Sequence, residues 1–409
     1  MDMEERNCRS CGSRGLKSVL DLGNTPLADA LLTRDDLNSA ERVYPLEAAF
    51  CPACSLMQIL ETVPPDVLFC RDYPYYSSFS DALLDHSREN ALGLIESRGL
   101  GPESLVVEIA SNDGYLLKNF VKSGVPCLGI DPAEGPARAA EDSGVPTLTA
   151  FFTKELAEDL RSLGRAADAV IANNVLAHVA DTNGFLDGVR TLLKDDGVAV
   201  MEVPYVKDLI DNCEFDTIYH EHLCYFSLTS LNNLFRRHAL YINDVKRLGI
   251  HGGSLRIYAG RKDDAGASVR DMLAEESDSG VDSFAYYDDF GLKVRNIKIG
   301  LRNMLTGLKE SGKRIAAYGA AAKGSTLLNY IGLGRETIDF VADRNIHKQG
   351  RFMPGKRIPI CGPERITELM PDYVLILAWN FAEEIIRQQD EYRRRGGRFI
   401  LPLPVWKIE

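Results

Sequence analysis

Nowhere does this chain approach the roughly 20 consecutive apolar residues that a helical membrane span needs, which argues against a helical membrane-spanning role. The opening Met1-Asp2-Met3-Glu4-Glu5-Arg6 is charged and has no apolar stretch of the kind a secretory signal carries. The expected location is therefore the cytoplasm, where nine cysteines read as thiols or thiolates rather than disulfides. Positive charge is also short. Lys and Arg number 47 against 59 Asp and Glu, and the formal net charge of −12 argues against non-specific binding to nucleic acid. A three-glycine dinucleotide fingerprint is missing after the first buried strand, where Ala110 and Asn112 hold the first two glycine positions. The N-terminal segment, up to about Cys70, contains no long periodic helix, and no internal repeat is evident along the chain.

What is present is a globular composition, 45% hydrophobic and 26% charged, over 409 residues. That length exceeds one ordinary core and predicts two or three domains. Residues 1–70 are turn-rich and irregular. Residues 80–100 read as a helix. Short apolar strands then alternate with helical patterns: Leu105–Ile109, Val125–Ile130, Ala167–Ala172 and Gly197–Val203 as strands, with helices between. Tyr241–Arg247 and Ser254–Ala259 add two strands joined through His251-Gly252-Gly253. The acidic, serine-rich Asp263–Asp282 marks a boundary or linker, and Phe284–Lys309 has helical periodicity. A second alternation begins at Arg314–Tyr318. The fold class is α/β, with a mostly parallel sheet covered on both faces.

Cys8-x2-Cys11 and Cys51-x2-Cys54 are two turns that each direct a pair of sulfurs at one ion. Four thiolates close a tetrahedral zinc shell, leave no open position and predict a structural site. The gap between the pairs, from Cys11 to Cys51, is wider than in common zinc ribbons. A metal would also supply the cross-link that so small a segment lacks. A closed shell of this kind is expected far from any reacting pocket.

Glu108-Ile109-Ala110-Ser111-Asn112-Asp113-Gly114 ends the first buried strand, the edge at which doubly wound sheets bind ligands. Glu108 and Asp113 would repel a pyrophosphate. They suit S-adenosylmethionine, which carries a sulfonium and an ammonium. Asp131, followed by Pro132, ends the second strand and is placed to accept ribose hydroxyls, or alternatively to cap the next helix. Asn173, Asn174 and His178 follow a later strand at the same edge.

Tyr219-His220-Glu221-His222-Leu223-Cys224-Tyr225 is a short run that holds two histidines, a carboxylate and two tyrosines. The i, i+2 spacing of the histidines points the rings apart, against a catalytic metal. Proton abstraction by a histidine tuned by its neighbouring acid is the favoured reading.

These motifs, with Tyr73-Pro74-Tyr75, Ser77-Ser78, Tyr318-Gly319-Ala320, Ala322-Lys323 and Ala378-Trp379-Asn380, resemble the three-domain sugar C-methyltransferases that act on nucleotide-linked 4-keto deoxysugars. The resemblance covers nearly the whole chain. It implies a zinc-binding domain over 1–70, a class I, Rossmann-like methyltransferase domain over 71–262, and linker helices with a C-terminal Rossmann-like domain over 263–409. It further implies His222 as base, Tyr219 and Glu221 as assisting residues, and His178 and Tyr73 lining the pocket. Tyr76, His251, Lys323, Ser325, Asp343, Trp379 and Asn380 are expected to contact a nucleotide sugar, usually dTDP-linked, with the Gly319–Ser325 loop and Lys323 holding its diphosphate. His220 stands where related sugar enzymes often carry Asp. A monomer or small homo-oligomer is expected. Methylation of oxygen, nitrogen or a non-sugar carbon, and a nicotinamide-dependent oxidoreductase built on the C-terminal loop, are the competing readings.

Overall fold

The computed structural model describes residues 6–68, 76–79 and 81–409. Its strands, in chain order, are β1 (Lys17–Pro26), β2 (Val43–Phe50), β3 (Met57–Ile59), β4 (Val106–Ile109), β5 (Cys127–Asp131) and β6 (Thr147–Thr149). They continue with β7 (Ala167–Asn173), β8 (Leu193–Pro204), β9 (Cys224–Tyr225), β10 (Tyr241–Leu248) and β11 (Ser254–Gly260). The last group is β12 (Ile315–Tyr318), β13 (Val341–Ala342), β14 (Ile360–Cys361), β15 (Tyr373–Ile376), β16 (Arg398–Leu401) and β17 (Lys407–Ile408).

The central sheet runs β10-β11-β8-β7-β4-β5-β6. β8 to β6 are parallel and β11 is inserted antiparallel between β10 and β8. This is the order expected of a class I methyltransferase sheet. Its inner strands are buried along their length because helices cover both faces, which explains their continuous apolar runs. The chain crosses from β6 to β7 on the far side of β4, and the resulting switch point lies at the carboxyl ends of β4, β5 and β7. The C-terminal sheet, β14-β13-β12-β15-β16-β17, is parallel except for β17.

The N-terminal segment is less irregular than its sequence indicates. β1, β2 and β3 form an antiparallel meander. Two register shifts, at Ser18/Leu20 and Asp21/Asn24, break the alternation of faces along β1 and conceal it as a strand. The fourth strand of this sheet is β9, which comes from far downstream in the chain, just after His222.

One apolar core joins all three sheets. Phe50 and Met57 of the N-terminal sheet, Val107 and Met201 of the central sheet, Phe290 and Leu305 of the helix Phe290–Glu310, and Ile315 and Leu375 of the C-terminal sheet belong to a single cluster. The opposite face of the central sheet packs beneath the helix Asp81–Arg98. The acidic, serine-rich stretch is helical over Ala267–Ser279. Its Glu276 is buried and accepts from the backbone N–H groups of Leu228 and Thr229, capping the helix Leu228–Arg237 from outside.

Candidate active site

The cysteine knuckle comes first in the chain. Sγ of Cys8 lies 3.6 Å from that of Cys54, and Sγ of Cys11 lies 3.6 Å from that of Cys51. All four sulfurs fall within 4.8 Å of one another. Bonds of about 2.3 Å to tetrahedral zinc space sulfurs about 3.8 Å apart, so the four thiols fit the ion. The knuckle is not remote from the candidate pocket, contrary to expectation. β3 begins just after Cys54 and pairs with β9, the strand that follows the catalytic stretch.

The acid loop after β4 holds an unusual backbone. Ala110, Asn112 and Gly114 have φ of 54°, 50° and 75°. Only the last is glycine, so the other two carry strain that the surrounding contacts must hold. The Asp131 carboxylate supplies part of that hold, accepting from Asn112 N at 2.8 Å and from Ala133 N at 2.8 Å. Asp131 therefore does make the helix-entry contact beside Pro132, and each oxygen keeps a further lone pair for a hydroxyl. From above, Ser77 N donates to Asn112 Oδ1 and Ser78 N to Asp113 Oδ2. Burial pushes Glu108 well above the usual carboxylate range, with Asp131 and Asp113 adding to it.

Buried Glu108 Oε2, Asp113 Oδ1 and Asn173 Oδ1 have no hydrogen-bond partner among the described residues. A cluster of acids with orphaned oxygens fits a ligand that brings positive charge and N–H donors, as S-adenosylmethionine does. Asn174, at φ 56°, is fastened by its N–H to Glu202 O at 2.8 Å. Glu202 itself is buried against His86 and Arg256. Burial pushes its carboxyl up, but those two partners outweigh burial and hold it low.

The catalytic stretch sits over the end of β7, where Leu223 N donates to Ala177 O at 2.7 Å. His222 Nδ1 lies 2.9 Å from the Thr217 carbonyl, and Nε2 lies 2.9 Å from the Tyr219 hydroxyl. A carbonyl only accepts, so Nδ1 carries the proton and Nε2 presents a lone pair to the Tyr219 O–H. The His178 ring stands edge-on to His222 with centroids 4.7 Å apart. Burial pushes the His178 imidazole down to about 4, against the opposing pull of the Glu221 backbone carbonyl, so near neutral pH the ring is uncharged. Glu221 does not reach His222, as the sequence reading had it. Burial, with the charge of Asp29 in the N-terminal segment adding to it, pushes its carboxyl up to about 8.

The C-terminal candidates form a second group. Gly319 (φ 98°) turns the chain from β12 into the helix Ala322–Ile331. Lys323 Nζ donates to Asn380 Oδ1 at 3.0 Å and stands 4.7 Å above the Trp379 ring. Burial lowers the Lys323 pKa, and Asp216 and Glu214 pull it back up. Trp379 Nε1 donates to Asp216 Oδ2 at 2.8 Å. Ser325 is buried, and its Oγ has no partner among the described residues. Both Asp343 oxygens accept backbone N–H groups, from Ala320 and Asn345, so this residue braces the loop. Tyr76, just before the Ser77 and Ser78 that reach the acid loop, stacks on His347 of the C-terminal domain with centroids 5.0 Å apart. His251 falls in the turn Ile250–Gly252, where a Cβ at Gly253 (φ 130°) would collide with the Asp208 carboxylate. Tyr73 lies outside the described residues.

Sequence reasoning missed Thr217, Asp216, Glu214 and Asp29. Glu214 and Asp216 are acids just upstream of the catalytic stretch, and their charge was a usable signal. Thr217 acts through its backbone carbonyl and Asp29 through long-range packing, neither of which leaves a mark in the sequence.

Models for a zinc binding domain, a methyltransferase domain and a C-methyltransferase C-terminal domain match residues 8–69, 79–243 and 249–404. The C-methyltransferase NovU of Streptomyces niveus is 40% identical over 400 residues, covering 97% of this chain and 95% of that protein. A ubiquinone biosynthesis O-methyltransferase of Azorhizobium caulinodans is 27% identical over 125 residues, 30% of this chain and 47% of its own length. Among solved structures, magnesium protoporphyrin IX methyltransferase of Synechocystis PCC 6803 with bound S-adenosylmethionine is 15% identical, with a TM-score of 0.35 over 44% of this chain and 82% of that one.

Proposed function

Because this chain belongs to the three-domain C-methyltransferase family and is an S-adenosylmethionine-dependent methyltransferase with a structural zinc site, we propose that it methylates C3, the carbon beside the ketone, of a nucleotide-linked 4-keto deoxysugar. The observation that carries this reading is the pre-set tautomer of His222, whose Nε2 lone pair is the proton acceptor such chemistry requires.

The ketone acidifies the C3–H bond. His222 Nε2 takes that proton, and the bond pair moves into the enolate, leaving charge on the C4 oxygen. The Tyr219 O–H has to leave Nε2 before the one ring-plane lone pair of that nitrogen can take the proton, and it turns toward the C4 oxygen as charge forms there. Tyr219 suits the donor role because its hydroxyl already stands 2.9 Å from His222 Nε2. Glu108, Asp113 and Asp131, with Asn173 and Asn174 beside them, would hold S-adenosylmethionine, which would supply an electrophilic methyl to the enolate carbon and leave as the neutral thioether; fixing the two reactants in one site would contribute much of the rate.

Lys323, Asn380, Trp379 and Ser325 make up the nucleotide-sugar side. The Lys323 ammonium and the first turn of its helix suit a diphosphate, while Asp216 and Glu214 oppose the burial that lowers the Lys323 pKa. The acceptor is a dTDP-linked sugar in this reading.

The test is mass spectrometry after incubation with S-adenosylmethionine and a panel of nucleotide 4-keto sugars. Gain of one methyl on carbon supports the proposal. Transfer only to oxygen or nitrogen, or to none of the panel, rejects it.

A further inference from the structure

The face of the central sheet beneath the helix Asp81–Arg98 is apolar rung by rung. Val106, Ala169 and Val198 make one rung, and Ile171 and Val200 belong to the next. Side chains on a strand return to the same face at every second residue. Glu108, Asn173 and Glu202 therefore continue this face to the carboxyl ends of their strands. Glu108 stands in register with Ile171, and Asn173, Glu202 and Arg256 stand in register with one another. The face turns polar where the cofactor loops begin.

Buried charges need partners, and here they have them. Glu202 is 1% exposed and Arg256 8%. Arg256 Nε donates to Glu202 Oε1 at 2.6 Å. His86, from the helix overhead, holds its Nε2 3.0 Å from both Glu202 oxygens. An ionised carboxylate only accepts, so His86 Nε2 carries a proton and donates it. Arg256 joins strands that the sheet ladder already joins, whereas the His86 bond is a polar tie from the sheet to the helix.

Glu202 is also where two sides of the acid-lined site meet. Below, its backbone carbonyl accepts from Asn174 N at 2.8 Å and fixes that residue at φ 56°. Above, its carboxylate anchors His86, in the second turn of the helix Asp81–Arg98. Just ahead of that helix come Ser77 and Ser78, whose N–H groups reach Asn112 Oδ1 at 2.8 Å and Asp113 Oδ2 at 3.1 Å.

We propose that Glu202 and His86 are positioning residues for S-adenosylmethionine, whose bond clasps the helix Asp81–Arg98 to β8 and so keeps Ser77 and Ser78 closed on the acid loop. Both Glu202 oxygens are engaged by Arg256 and His86, so the side chain acts through the groups it holds. The clasp places the lid of the acid loop, and the Glu202 carbonyl places Asn174 on the opposite side.

The proposal rests on placing the cofactor at the acid loop and not on the identity of the acceptor. In the full chain, His86→Ala is expected to weaken S-adenosylmethionine about tenfold in calorimetry. It is also expected to speed deuterium exchange of the Ser77 and Ser78 backbone N–H groups. His86→Gln, whose amide N–H reaches about as far as Nε2–H, is expected to restore both. Where the alanine variant does not fold, His86→Asn, one methylene shorter than glutamine, takes its place. A merely structural role would lower the melting temperature and leave affinity, measured well below it, unchanged; that result overturns the proposal. Affinity that His86→Gln does not restore overturns it too, as does unchanged exchange at Ser77 and Ser78. Asp131→Ala, whose side chain takes no part in the clasp, tests the cofactor's place by itself. Affinity kept in that variant moves the cofactor off the acid loop, and the proposal falls with it, whereas affinity kept in His86→Ala alone removes only the clasp.

Discussion

The acid loop after β4 and the catalytic stretch Tyr219–Tyr225 face the same sheet edge but are built on opposite plans. The acid loop is made within one domain. Its shape comes from left-handed residues at Ala110, Asn112 and Gly114, and its carboxylate at Asp131 is filled by N–H groups of neighbouring loops. The catalytic stretch borrows from everywhere. Pro45 and Ile59 hold it from the N-terminal domain, Ala177 from beneath, and Trp379 of the C-terminal domain holds Asp216 just ahead of Tyr219. On the proposed roles, cofactor binding is expected to survive changes that abolish catalysis, and catalysis to depend on the whole assembly.

The sharpest way to separate the two is His222→Ala. Loss of the base is expected to cut kcat by about 10²–10⁴-fold while calorimetric affinity for S-adenosylmethionine stays near wild type. An equal fall in affinity would merge the two regions into one unit. Next in size is Cys8→Ser, which opens the sulfur shell. Structural zinc contributes folding energy outright, so the soluble yield and melting temperature should fall clearly, with methyl transfer lost because β9 leans on β3. A soluble, fully active Cys8→Ser protein would show that the knuckle is dispensable.

Asp131→Ala is the converse experiment. It leaves two buried N–H groups, Asn112 and Ala133, without acceptors, at about 1–3 kcal/mol each for unsatisfied groups. Cofactor affinity should fall by about tenfold or more, with the pH profile of kcat at saturating cofactor retained. The smallest effect belongs to Glu214. Burial pushes Glu214 to about 8 and Asp216 to about 6. Carboxyls with raised folded pKa values stabilise the fold fully below their unfolded value near 4 and lose that contribution as pH rises through about 6 and about 8. His178, depressed to about 4, acts in the opposite sense, with its contribution lost on acidification below its unfolded value of about 6.5. Glu214→Gln should flatten the melting-temperature decline between about pH 4 and pH 8.

The central sheet was legible because its strands are buried on both faces and spelled out as apolar runs, and the acid loop because three carboxylates at strand ends defy a pyrophosphate. The cysteine knuckle was legible from spacing, and its four sulfurs do converge. Three features were not. β1 hides behind two register shifts that break its alternation. β9 is two residues long and owes its existence to β3, so no local pattern announces it. The charge that acts on Glu221 is that of Asp29, from another domain, because packing across domains, not sequence neighbourhood, decides which acid a buried carboxyl feels.

The most direct measurement is exchange of the C3 proton of a nucleotide 4-keto sugar in deuterated water, followed by NMR with S-adenosylhomocysteine filling the cofactor site. Wild-type protein should exchange that proton rapidly and His222→Ala should not. Exchange that persists in His222→Ala, or a wild type that methylates its acceptor without exchanging a carbon-bound proton, would contradict the account of His222 as the base that makes the nucleophilic carbon.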